Sequence, residues 1–243
     1  MALTWRDSGR LIVEVRRLVV SALLCCSVAT HRTSAQTSAA SLPVAGQVRT
    51  VQSATFPVDV LVQGPAETMT ELQVICLFRS EPSDPLHGSL VEMNERLQGL
   101  LDAVRKPSLF SGEAGETLLV IPRAGTIPAQ RLLIVGLGDP RTFTPARMNL
   151  VGAIVFEEAH RMVIHHPFFA PMVLDGGVSE FSTGEIASEF MSGFLRARRT
   201  QALLADRYDA LRTRVEKLTF LADAAHAADT QEGLAKALAA EAK

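Results

Sequence analysis

From Phe56 onward, short apolar runs take turns with amphipathic stretches that read as helices, and few architectures accommodate that order. Phe56–Val62, Leu72–Phe78, Thr117–Ile121, Arg131–Leu137, Phe169–Leu174 and Leu218–Leu221 are each too short for a stable helix and lie between turn residues such as Gly64-Pro65, Gly125 and Pro128, so they read as strands. The centres Leu118-Leu119-Val120-Ile121 and Leu132-Leu133-Ile134-Val135 are apolar throughout, which predicts strands covered on both faces. Strands alternating with helices over short joints predict a three-layer α/β/α sandwich. The two strands that follow one another near the start predict a mixed sheet.

The helices carry start signals. Asp84-Pro85 offers a cap and a first-turn proline ahead of a stripe of Leu86, Leu90, Met93, Leu97, Leu101 and Val104, closed by Lys106-Pro107. Thr144-Pro145 opens a second helix, with Met148, Val151, Val155 and Met162 on its inner face. Ser182-Thr183-Gly184-Glu185 matches a capping box ahead of Ile186, Phe190 and Phe194, and Asp229 to Glu232 offers another before the alanine-rich end.

The first 35 residues have a different character. Arg16 and Arg17 precede the apolar run Leu18 to Val28, which Ser, Thr, Ala and Gln follow, the order of a secretory signal peptide. Cleavage after Ala29 or after Ala35 fits the small-x-small rule, and a buried helix is the alternative reading. Residues 1–35 are thus expected to direct export to the periplasm or the medium. Residues 36–55 are expected to form a flexible leader, and residues 56–243 one domain. The apolar run is too short to span a bilayer comfortably, so no membrane association is expected after cleavage.

Removing residues 1–35 takes away five basic and two acidic side chains, leaving 19 against 24 and a net charge of −5. That balance argues against nucleic acid as a partner, although Arg196-Ala197-Arg198-Arg199 is a local basic run. Cys76 is the one cysteine left, inside an apolar run, so no disulfide is expected.

Signals for chemistry are sparse. His160, His165 and His166 lie near Glu157 and Glu158 without a zinc-helix spacing, so no metal site is expected. Ser111 has no Gly-x-Ser-x-Gly context and no histidine nearby in sequence, so no catalytic residue is assigned. The loop candidates for a ligand are Gly136 and Gly138, which follow a buried strand where amides could cradle a phosphate, and Gly176-Gly177; tight turns are the simpler reading of both. No cofactor is expected.

Three segments carry a resemblance. Phe110-Ser111-Gly112-Glu113-Ala114-Gly115-Glu116 before a strand, Arg131-Leu132-Leu133-Ile134-Val135-Gly136-Leu137-Gly138 before a helix, then Arg147 and Gly152, resemble the N-terminal domain of the leucyl (cytosol) aminopeptidases over about residues 57–240. The resemblance implies a macro-domain-like α/β/α fold. The helix ending Gly193-Phe194-Leu195-Arg196-Ala197-Arg198-Arg199 departs from the family's Tyr-Arg-Phe type. No run matches the family's Asn-Thr-Asp-Ala-Glu-Gly-Arg metal-binding motif, and Lys243 falls about where the catalytic domain would begin. The expectation is therefore a stand-alone, exported, non-catalytic binding or regulatory module that partners a catalytic aminopeptidase subunit or itself. The alternatives are a macro-like domain for a nucleotide or ADP-ribose-type ligand, and an aminopeptidase that acts only with a separately encoded catalytic domain.

Overall fold

Seven strands form one mixed sheet in the order β1-β2-β7-β6-β3-β5-β4. They are β1 (Val48–Val51), β2 (Val58–Val62), β3 (Leu72–Leu77), β4 (Thr117–Val120), β5 (Leu132–Gly136), β6 (Pro167–Ala170) and β7 (Leu218–Ala222). The helices are α1 (Ser89–Arg96), α2 (Leu100–Val104), α3 (Arg147–Arg161), α4 (Thr183–Tyr208) and α5 (Ala227–Glu241). This is a computed structural model, and it describes residues 44–80, 84–105, 109–208 and 212–242. The segment read as a signal peptide and the closing Lys106-Pro107 lie outside the described residues. Among the described residues no helix is long and apolar enough to cross a membrane.

The five inner strands run parallel, and alternation along them feeds two apolar layers. Val74, Cys76, Leu133 and Val135 pack under α3, α4 and α5, whereas Ile75, Leu77, Leu132 and Ile134 pack under α1 and α2. Every residue of β3 and β5 is buried, as the all-apolar run of β5 required. The α3–α4–α5 layer is joined at glycine seams. A Cβ at Gly152 would overlap the Phe190 carbonyl, one at Gly193 the Asn149 carbonyl, and one at Gly233 the Gly184 carbonyl, so these helices meet backbone to backbone. The box at the start of α4 forms as expected: Glu185 N–H donates to Ser182 Oγ at 3.0 Å, and Ser182 N–H to Glu185 Oε2 at 3.2 Å.

Several sequence expectations need correction. The fold takes in part of the expected leader, because β1 pairs antiparallel with β2 from Val48↔Leu61 to Val51↔Val58. Backbone pairing holds it, together with Arg49 and Thr50 bonding Gln231 of α5, and neither leaves an apolar periodicity to read. β2 and β3 are not neighbours, since β7 and β6 lie between them; the antiparallel pairs that mix the sheet are β1–β2 and β4–β5. β4 is an edge strand with Leu119 46% exposed, not a strand covered on both faces. The first helix starts at Ser89, not at Asp84-Pro85, and breaks at Gln98 and Gly99, whose φ values of 58° and 84° no helix accommodates. Its apolar stripe survives the break, with Leu90, Met93, Leu97, Leu101 and Val104 all buried. β6 stops at Ala170, short of the expected Leu174. Asp229 lies within α5 and caps α4 instead of its own helix.

Candidate functional site

A cavity of about 370 Å³ opens where the carboxyl ends of β2, β7 and β6 meet the loops that follow them. Open α/β sheets bind ligands in this crevice, because chain connections diverge there and leave space between them. Val62, Ala170, Met172, Val173, Ile186 and Phe220 supply apolar wall, and Asp175, Asp223, His226, Ser89, Thr183 and Thr230 bring polar groups.

Helices α1, α4 and α5 all begin beside this cavity, and each N-terminus already holds a carboxylate. Asp175 accepts the Ser89 N–H and the Ser89 hydroxyl, both at 3.0 Å, at the first turn of α1. Asp229 accepts Gly184 N–H at 2.7 Å and the Thr183 hydroxyl at 2.9 Å on α4. Asp223 accepts the N–H groups of Ala225 and His226 at 2.8 and 3.0 Å ahead of α5, and the His226 ring Nδ1 lies 2.7 Å from its second oxygen. Burial alone would raise the Asp223 carboxyl, but the bonds from the His226 side chain and backbone, the imidazole charge and the Ala225 amide outweigh it and hold it low. Thr230 is 1% exposed and lines the cavity beside them.

The two pairs of sequence-singled glycines fare differently. Gly176 and Gly177 form the turn that carries Asp175 to the cavity rim, and the turn consumes its own amides: Gly176 N–H goes to Met172 O, Gly177 N–H to Leu174 O, and Val178 N–H to Val173 O. Gly176 must be small because a Cβ would strike the Phe78 ring. Gly136 and Gly138 stand away from the cavity, under the Gly112–Glu116 loop. Gly138 N–H donates to Gly112 O and Gly136 N–H to Glu116 O, each at 2.8 Å, and Leu137 N–H to Leu77 O at 2.9 Å. The two glycine-bearing segments quoted from the sequence thus fasten to one another, and no amide of Gly136, Leu137 or Gly138 is left to receive a phosphate. Arg141 and Arg79 beside Asp139 hold its carboxyl well below the usual range.

Other sequence candidates are drawn apart. His160 stacks on Phe156 in α3, His165 N–H bonds Glu71, and the His166 ring bonds Thr219 at 2.8 Å. Among the described residues no group of three or more His, Cys, Asp or Glu is arranged to hold a metal ion. Ser111 donates its hydroxyl to Glu116 at 2.6 Å, a loop-closing bond. The arginine run diverges: Arg196 is exposed, Arg198 lies 5.1 Å from the Phe56 ring centroid, and Arg199 pairs with Glu241. Sequence reasoning missed Asp175, Asp223 and Thr230. Only Asp223, three residues ahead of His226 and an alanine-rich helix, carried a local cap signal.

Solved structures share this layout. An Oceanobacillus iheyensis macrodomain variant matches with a TM-score of 0.53 at 14% identity, covering 80% of this chain and 99% of that one. A Trypanosoma brucei macrodomain in complex with ADP-ribose matches at 0.51 and 12%, over 74% of this chain and 68% of that one. A tomato leucine aminopeptidase variant matches at 0.54 and 19%, over 72% of this chain and 34% of that one. The fold is therefore macrodomain-like.

The profile of the cytosol aminopeptidase family, N-terminal domain, matches residues 74–197. The chain belongs to the cytosol aminopeptidase family and carries its N-terminal domain. A probable cytosol aminopeptidase of Roseiflexus castenholzii is 29% identical over 180 residues, 74% of this chain and 33% of that protein. One from Alkaliphilus oremlandii is 28% identical over 123 residues, 51% and 24% respectively. The chain thus spans a third or less of the length of these curated relatives.

Proposed function

We propose that this chain is a non-catalytic binding module of the aminopeptidase family, and that the cavity at the ends of β2, β6 and β7 is its recognition site. The observation that carries the reading is the convergence of three strand ends and three helix starts on one apolar-walled space. Its partner is a catalytic aminopeptidase chain or a second copy of itself. Nucleic acid is the less favoured partner, supported by the acidic balance and by the divergence of Arg196, Arg198 and Arg199. Export through residues 1–35 belongs to the same proposal, supported by the basic, apolar and small-residue order.

An ADP-ribose-type ligand is the reading the fold alone would suggest. The chemistry of the loops supports it less, since the amides of both glycine turns are already bonded. Crystals of the full chain soaked with small fragments test the proposal: fragments should lodge between Met172 and Phe220, and density everywhere but there would overturn it. Release of leucine from its anilide by the purified chain with manganese would overturn the non-catalytic part. N-terminal sequencing of periplasmic material tests export.

A further inference from the structure

The sheet ends at β4, and that edge is open to a strand from outside. Gly136 N–H donates to the Glu116 carbonyl. Bonding alternates along an antiparallel ladder, so Glu116, Leu118 and Val120 turn their backbone groups to β5, while Thr117, Leu119 and Ile121 turn theirs outward. Native edges are guarded by charged side chains, prolines or bulges. Here the guards stand only at the two ends: Gly115 and Glu116 both bond Gly136, a bulge, and Pro122 closes the other side. Between them Thr117–Ile121 carries no charge, and Leu119 and Ile121 are exposed. The opposite edge strand, β1, differs in carrying the charge of Arg49. Side chains alternate, so Thr117, Leu119 and Ile121 share the face on which Leu133 packs under α3. On that face the exposed Leu150 of α3 reaches the entry of β4, where a Cβ at Gly115 would lie 3.2 Å from its Cδ2. The antiparallel register that uses the whole open stretch sets Leu119 against Leu119 of a second copy, and Ile121 against Thr117 beside Leu150. The same register carries Arg123, exposed and without an ion pair among the described residues, toward the exposed Glu113 of the other copy. A parallel arrangement would face like charges instead.

Taking the chain as the partner-binding module proposed for it, we infer that this partner is a second copy, joined by β4–β4 pairing into one continuous sheet. The pairing satisfies the outward N–H and C=O groups of both strands and covers Leu119, Ile121 and Leu150. Sedimentation velocity of the full chain over a range of concentrations is the test, and a species of twice 26.2 kDa is expected to grow as concentration rises. Leu119→Lys puts like charges directly opposite across the pair and should weaken the dimer at least about tenfold. Ile121→Lys, at a position 67% exposed and so harmless to folding, should weaken it too, while Val48→Lys on the β1 edge should not. Hydrogen exchange gives a separate readout: the amides of Thr117, Leu119 and Ile121 should slow in the dimer, and those of Leu118 and Val120 should not change. A monomer at every concentration, a dimer indifferent to both lysines on β4, or one abolished by Val48→Lys would overturn the inference while leaving the cavity a recognition site. Fragments that avoid the cavity, beside a dimer that depends on β4, would instead remove the cavity reading and leave the pairing.

Discussion

Asp175 and Ser89 stand 86 positions apart, yet both carboxylate oxygens of the first bond the second, one to its N–H and one to its hydroxyl, at 3.0 Å. The cap of α1 therefore comes from a distant part of the chain, and Gly88, with φ of 55°, is held without a Cβ because one would collide with that carboxylate. Asp175→Ala should lower stability by about 0.5–2 kcal/mol, the usual loss for an N-cap. Urea unfolding of the two proteins measures it, and an unchanged midpoint would show that Asp175 does not support α1.

The seam between α3 and α4 has no room for a methyl group. Gly193→Ala should destabilise by about 1–3 kcal/mol, because the helices must separate to admit the new carbon. Gly99→Ala is the contrast: nothing lies within 4 Å of its would-be Cβ, so that change reports only the strain of φ at 84°. Thermal melts should rank Gly193→Ala as the more damaging of the two.

Phe190 is fully buried and stacks on Phe169 with ring centroids 4.0 Å apart, beside Phe194 and Phe220. Phe190→Ala should remove about 3–5 kcal/mol. Phe190→Leu keeps most of the volume and should lose clearly less, as equilibrium denaturation would reveal.

His166 titrates below its ordinary value, chiefly because it is half-buried, with Lys217 adding repulsion that Asp59 and Glu71 partly offset. The folded state thus prefers the neutral ring. Its contribution is present above the unfolded value of about 6.5 and is lost as pH falls through the lower folded value. Stability should therefore decline between pH 8 and pH 5 more in the wild type than in His166→Asn. Parallel declines in the two proteins would assign the pH dependence to other groups.

The depressed Asp223 carboxyl acts in the acid range. Its contribution is present above the unfolded value of about 3.9 and disappears as pH drops through the folded one. Asp223→Asn should flatten the acid limb of the stability curve, and a limb of unchanged slope would count against the role given to Asp223.

What could be read from the sequence was what neighbours in the chain decide. Ser182 and Glu185 sit three residues apart and cap one turn, so their spacing alone announced the start of α4. The all-apolar β5 run announced a central strand for the same reason. β1 was illegible because its stability comes from bonds to Leu61 and to Gln231, far along the chain. Asp229 looked like the cap of the helix it belongs to, and only the tertiary seam at Gly233 turns it towards Gly184. The cavity was hidden for the same cause: Ser89, the Asp175–Thr183 stretch and the Asp223–Thr230 stretch that frame it come from three separated parts of the chain. The glycines at 136 and 138 were visible but ambiguous, since a free cradle and a filled one have the same sequence.

Glycine contacts along its first half pin α4 to α3 at Gly193 and to α5 at Gly184, so those turns have little freedom to bend on their own. Mechanically the helix is a rod clamped near one end. Thr183, at the clamped end, faces the cavity, and some 30 Å further along, at about 1.5 Å per residue, Leu203, Leu204 and Tyr208 stand exposed on the free end. The exposed side chains of the outer turns are therefore expected to accept polar replacements without disturbing the clamped turns or the cavity end at Thr183.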